Sequence, residues 1–206
     1  MNRIKTILPI IVVAQFCCTS LWFASNAVMS DLVINFGLNA NAIGNLTSAV
    51  QFGFILGTLV FAVLAIADRF SPSRVFLISA LFGALFNAGL IWEGNNLTTM
   101  LSIRFLTGFF LAGIYPVGMK IAADYFNKGL GKSLGFLVGA LVLGTAFPHL
   151  LKGITAVFPW KLVILTTSSL ATLGGLMMVL LVPNGPYRKQ SQGINLSAFF
   201  GIFRNQ

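Results

Sequence analysis

Six long apolar stretches follow one another from residue 8 to residue 182, separated only by short polar breaks. A water-soluble fold has no use for that much continuous apolar surface. A bilayer does, because a spanning helix needs about 20 mostly apolar residues. Charged residues make up 8% of the chain, and mean hydropathy is +0.90. The stretches are continuous and do not alternate in polarity, which excludes a membrane barrel and leaves helices. The expected fold is therefore all-α and polytopic, with six transmembrane helices.

The spans are expected at 8–29, 42–67, 75–92, 99–123, 133–150 and 162–182, with loops between them, including a polar one at 30–41. The first is too long for a cleaved leader, although Arg3 and Lys5 precede it. The formal charge of +9 reads as topology. Arg3, Lys5, Arg69, Arg74, Lys120, Lys128, Lys132, Arg188, Lys189 and Arg204 fall on one side, and Lys152 and Lys161 on the other, with Arg104 inside a span. Basic residues mark the cytoplasmic side, so both termini are expected in the cytoplasm, which an even number of spans requires. A cell (plasma or inner) membrane is the expected location. The basic residues form no nucleic-acid footprint. Residues 1–186 make one membrane bundle. Residues 187–206 make a cytoplasmic linker, in which Leu196, Phe199, Phe200 and Phe203 fall on one face of a short amphipathic helix.

Two local patterns are more specific. The exit of the second span reads Leu64-Ala65-Ile66-Ala67-Asp68-Arg69-Phe70-Ser71-Pro72-Ser73-Arg74. The fourth span reads Arg104-Phe105-Leu106-Thr107-Gly108, then Gly113, Pro116 and Ala122-Ala123-Asp124-Tyr125-Phe126. Gly131-Lys132-Ser133-Leu134-Gly135 and Pro159-Trp160-Lys161 open the fifth and sixth spans. In order and spacing these resemble the major facilitator superfamily, whose loop between spans two and three carries Gly-x-Leu-Ala-Asp-Arg-x-Gly-Arg-Arg. This chain keeps Ala-Asp-Arg and a distal Arg74, and has Leu64 and Ser71 where the family has glycine. The resemblance covers residues 1 to about 190. It implies one six-span half of a twelve-span secondary transporter, built as two three-helix repeats. Such a protein moves a small solute by alternating access.

The candidate solute residues follow. Gln15, Thr19, Trp22 and Asn26 recur at i, i+4, i+7 and i+11, so a continuous helix would put them within about 60° of one another. Polar side chains on one face in a membrane either bind helices together or line a wet cavity. The resemblance favours the cavity. Arg104 is the charge inside an apolar stretch. It either snorkels to the near surface or faces a wet site with Tyr115, which would suit an anionic or carboxylate-bearing solute. Asp68, Arg69 and Arg74, with Asp124 in the matching loop of the second repeat, form either a latch at the cytoplasmic mouth or a solvated turn. Lys120, near the cytoplasmic end of the same span, is expected to snorkel. The glycine pairs Gly53/Gly57 and Gly135/Gly139 have the spacing of close helix packing.

One histidine, two adjacent cysteines (Cys17 and Cys18) and four acids near span ends supply neither a catalytic constellation nor a metal site. There is no phosphate-cradling loop or dinucleotide motif, so neither an enzyme nor a cofactor is expected. The expected partners are membrane lipid, the solute, a coupling proton or ion, and either the missing six-span half or a second copy, with truncation the favoured explanation. The alternative function is a non-transporting membrane protein, an inert transporter remnant acting as an assembly partner.

Overall fold

A computed structural model describes residues 2–39, 41–154 and 159–189, and their regular structure is helical throughout. The elements are α1 (Asn2–Thr19), α2 (Ala24–Ala27), α3 (Met29–Phe36), α4 (Ala42–Val63), α5 (Ile66–Arg69), α6 (Pro72–Gly89), α7 (Leu97–Leu111), α8 (Tyr115–Tyr125), α9 (Leu130–Ile154) and α10 (Trp160–Leu181). Among the described residues five stretches are long and apolar enough to cross a membrane. These are Ala42–Val63, Pro72–Gly89, Leu97–Tyr125, Leu130–Ile154 and Trp160–Leu181, and the shorter apolar helix Thr6–Thr19 precedes them. The expected amphipathic helix around 196–203 lies outside the described residues.

Local chemistry sets most of the boundaries. Pro72 opens α6 in the first turn, where its missing N–H costs nothing, so the Pro72-Ser73-Arg74 segment expected as loop is helical. Asn96 caps α7 by accepting from the Thr99 N–H, and the Thr99 hydroxyl accepts from the Asn96 N–H in return. The fourth span bends as Pro116 suggests, but the break lies just before it, at residues 112–114. The second span stops at Val63. Ala65 then turns the chain in the left-handed region (φ 49°), which costs a non-glycine residue roughly 1–2 kcal/mol.

The first span departs most from expectation. Its helix ends at Thr19, and residues 20–23 form turns before α2 and α3 resume. The expected polar loop at 30–41 is helical as far as Phe36, where Gly37 terminates it in the left-handed conformation. Asp31 sits in the first turn of that helix, where a carboxylate favours the positive end of the helix dipole.

Packing follows a twofold scheme. The second span packs most extensively on the fourth, the fifth packs on the first, and the third packs on the sixth. Exchanging residues of spans one to three for those of four to six maps this scheme onto itself, as an inverted repeat would. Where the second span meets the fourth, the backbones touch. A Cβ on Gly53 would collide with the Phe105 carbonyl oxygen, and one on Gly108 with that of Val50. The third and sixth spans are joined by polar contacts, because the Asn87 amide donates to Ser168 Oγ (2.9 Å) and Thr167 Oγ1 (3.2 Å). Gly135 and Gly139 meet nothing within 4 Å among the described residues, so close packing at that pair is not found within the bundle. One apolar core surrounds Ile11, Leu21, Phe76 and Ile114. A second, towards the opposite end, surrounds Leu32, Leu46, Leu90 and Ile164.

Candidate functional site

Arg104, on α7, is completely buried. Its Nη2 donates to the Trp22 carbonyl at 2.6 Å and its Nη1 to the Leu21 carbonyl at 3.4 Å. Those carbonyls lie in the turn that interrupts the first span. A helix break in hydrocarbon releases backbone groups that need partners, and the guanidinium fork supplies them. Arg104 therefore does not snorkel. Its Nε remains without a partner, as do both amide atoms of Gln15 and Nε1 of Trp22. Buried polar atoms left this way are costly, on the order of 1–3 kcal/mol each.

The break also redistributes the polar stripe of the first span. Gln15 abuts Gly118 of α8, and a Cβ there would strike its Oε1. The Thr19 hydroxyl donates back to the Gln15 carbonyl (2.9 Å) and lies against Gly144 of α9. The Trp22 ring packs on Phe54 of α4, centroids 4.6 Å apart. Asn26 Nδ2 donates to Thr47 Oγ1 of α4 at 2.8 Å. The four residues thus contact three different helices, α8, α9 and α4. Tyr115 is partly buried at the start of α8, separated from Arg104 by the break at 112–114.

A second cluster gathers at the end of the bundle where α5, α8 and the segment after α10 converge. Lys120 Nζ lies 2.8 Å from Asp68 Oδ1 and 3.4 Å from Asp124 Oδ1. Asp68 and Asp124, expected in matching loops, are brought together by a lysine expected to snorkel. The i, i+4 spacing of Lys120 and Asp124 was a visible signal. Nothing in the sequence paired Lys120 with Asp68, which arrives from another span.

The chain leaving α10 straps this cluster. Ser73 Oγ donates to the Val182 carbonyl (2.7 Å), the Tyr125 hydroxyl to the Pro183 carbonyl, and Ser71 Oγ to Asn184 Oδ1 (2.9 Å). The Tyr187 N–H donates to the Asp124 carbonyl (3.0 Å), and Arg188 Nη2 to the Phe70 carbonyl (2.8 Å). Gly185 lies so close to Asp124 that a Cβ would strike its carbonyl oxygen. Arg69 ends α5 beside this region. Arg74 is exposed on α6, and its side chain makes no hydrogen bond or ion pair among the described residues.

At the opposite end, Lys152 Nζ pairs with Asp31 Oδ2 at 2.9 Å, and Lys161 Nζ with Glu93 Oε1 at 2.9 Å. The hydrogen bond from Lys161, and then its charge, hold the Glu93 carboxyl below its ordinary range. All four acids of the chain are thereby paired with lysine.

The family model described as Major Facilitator Superfamily matches residues 11–205. The niacin transporter of Acinetobacter baylyi is 28% identical over 153 residues, covering 66% of this chain and 34% of that protein. The probable L-galactonate transporter of Escherichia coli is 30% identical over 129 residues, covering 61% of this chain and 27% of that protein. The 4-hydroxybenzoate transporter of Pseudomonas aeruginosa is 26% identical over 168 residues, covering 77% and 34% respectively. The chain spans about a third of the length of the curated relatives it matches.

Proposed function

Because this chain belongs to the major facilitator superfamily, we propose that it forms one six-span unit of a secondary transporter that moves a small carboxylate-bearing solute. Family membership makes it a membrane protein related to transporters of small solutes. The carboxylate is our extension. Niacin, L-galactonate and 4-hydroxybenzoate, named for three relatives, differ in ring, chain and hydroxyl pattern, but each carries one.

The observation that carries this reading is Arg104, a buried cation held only by two backbone carbonyls with its Nε unpartnered. A carboxylate is a stronger acceptor than a neutral carbonyl, and the guanidinium fork matches it with two parallel bonds. A solute carboxylate would take the edge of Arg104 now occupied by Leu21 and Trp22, and release the turn in the first span. Gln15 and Trp22, whose polar atoms also lack partners, would complete the contacts, with Thr19, Asn26 and Tyr115 as the rest of the set. Site and unit are completed by a second six-span bundle, from the same polypeptide or from a second copy, and the two rock about the solute in alternating access.

The Asp68–Lys120–Asp124 cluster with its strap acts as the latch of one end, with Arg69 and Arg74 flanking it. The basic excess supports a cytoplasmic position for that end and for both termini, in a plasma or inner membrane. Coupling to a proton or ion would enter at one of the paired acids, since protonating the carboxylate opens the pair.

Vesicles reconstituted with the chain and labelled niacin test the reading. Accumulation above empty vesicles, competed by unlabelled niacin but not by nicotinamide, is the expected result. Equal competition by the amide would remove the carboxylate from the proposal. Absence of uptake for niacin, 4-hydroxybenzoate and L-galactonate alike, from vesicles in which cross-linking shows two copies paired, would favour a non-transporting role.

A further inference from the structure

At the Lys120 end of the bundle, α4, α5, α6 and α7 enclose a crevice of about 360 Å³. Its walls are mostly apolar side chains, Phe61, Ile66, Phe70, Val75, Ile78 and Phe110, with Ser71 and Ser79 between them. Phe70 and Ile78 are 62% and 52% exposed, so the crevice lies on the outer surface and not in the core. Arg74 supplies its charge. It lies in the first turn of α6, is exposed, and its guanidinium has no hydrogen-bond or ion-pair partner among the described residues. The amino end of α6 adds partial positive charge at the same level.

We propose that this crevice binds an anionic phospholipid of the adjoining leaflet, with an acyl chain between α4 and α6 and the phosphate on Arg74. A free anion has no reason to choose a site whose walls are mostly apolar, and a zwitterionic lipid brings its own headgroup cation beside the arginine, which weakens the pairing of its phosphate with Arg74. One molecule that is apolar along its length and anionic at its head satisfies both parts of the site. Depth agrees as well. The first turn of a spanning helix sits near the headgroup level, where basic pockets between helices take up anionic lipid heads. The proposal does not depend on which solute is carried.

Native mass spectrometry of the detergent-purified chain, titrated with phosphatidylglycerol or phosphatidylcholine of the same acyl composition, tests it. Phosphatidylglycerol should be retained about five-fold better, the order expected for one basic side chain near a lipid surface. Arg74→Gln should reduce that ratio to near one, whereas Lys132→Gln, which removes an exposed lysine from the same end, should leave it unchanged. Ile78→Trp, which fills the crevice while keeping Arg74, should lower retention of both lipids. Soluble glycerol phosphate at millimolar concentration should not displace the lipid. Equal retention of the two lipids by the unmodified chain would overturn the proposal. So would an Arg74→Gln ratio that stays at five, an equal fall with Lys132→Gln, displacement by glycerol phosphate, or a lipid-free dimer.

Discussion

Lys120 reaches across from the fourth span to place its ammonium 2.8 Å from the Asp68 carboxylate at the exit of the second. The pair is half-buried, with side-chain exposures of 24% and 33%, so it is neither a fully screened surface contact nor a dry one. Asp124 shares the same ammonium and is almost buried. A double-mutant cycle of Lys120→Gln and Asp68→Asn should therefore give a coupling energy of about 1 kcal/mol, between the ranges for exposed and buried pairs. Unfolding midpoints in detergent would supply it. Additive effects of the two changes would dissolve the link.

The contact between the second and fourth spans depends on hydrogen where other residues carry a methyl group. Gly108→Ala should destabilise the bundle by about 1–3 kcal/mol, because the new carbon would overlap the Val50 carbonyl oxygen and drive the helices apart. Gly139→Ala adds the same group to open space and should change the unfolding temperature little. Comparable losses from both would mean that helix propensity or insertion, and not the interface, sets the outcome.

Arg104→Gln should loosen the turn in the first span. Cys18 reports on it without any added label site, being fully buried and donating its thiol to the Ala171 carbonyl at 3.3 Å. Its alkylation by a membrane-permeant maleimide should accelerate at least several-fold in the variant. An unchanged rate would show that the turn holds its shape without the arginine.

Gly185→Ala should detach the strap while leaving the six spans in place. Limited proteolysis just beyond residue 182 should become faster, because Tyr187 and Arg188 lose their register on Asp124 and Phe70. Cleavage at the rate of the unaltered chain would mean that the segment can ride over a methyl group.

Glu93 gives a pH signature with a defined sign. Its carboxyl in the folded chain titrates below the ordinary value of 4.5, so the pair with Lys161 contributes fully above that value and is lost as pH falls through the lowered one. The difference in unfolding temperature between the unaltered chain and Glu93→Gln should be constant from neutral pH to about 5 and shrink in more acidic solution. The effect is small, because Glu93 is largely exposed. A difference that grows on acidification would reverse the assignment.

Hydropathy revealed the spans because lipid imposes the same demand at every residue of a spanning helix. The interruptions were partly visible. Pro116 announces a bend that the backbone completes one turn earlier. The turn at 20–23 has no proline or glycine to announce it, since it is stabilised by Arg104, more than 80 positions away. That distant partner is also why the first span is not the unbroken helix that the spacing of Gln15, Thr19, Trp22 and Asn26 assumed. Side chains on either side of the turn meet different neighbours. The Asp68–Lys120 contact was hidden for a related reason, as it joins segments from two repeats. Gly53 and Gly57 could be read as packing positions and meet the backbone of the fourth span, whereas Gly135 and Gly139 have the same spacing without a partner in the described bundle.

The hold of Arg104 on Leu21 and Trp22 orders events during synthesis. The first span enters the membrane long before residue 104 is made. Until then it has to stay a straight helix or leave two carbonyls bare in hydrocarbon. Its interrupted form gains its partner only when the fourth span arrives, so the first helix to be made is not finished until the fourth is in place.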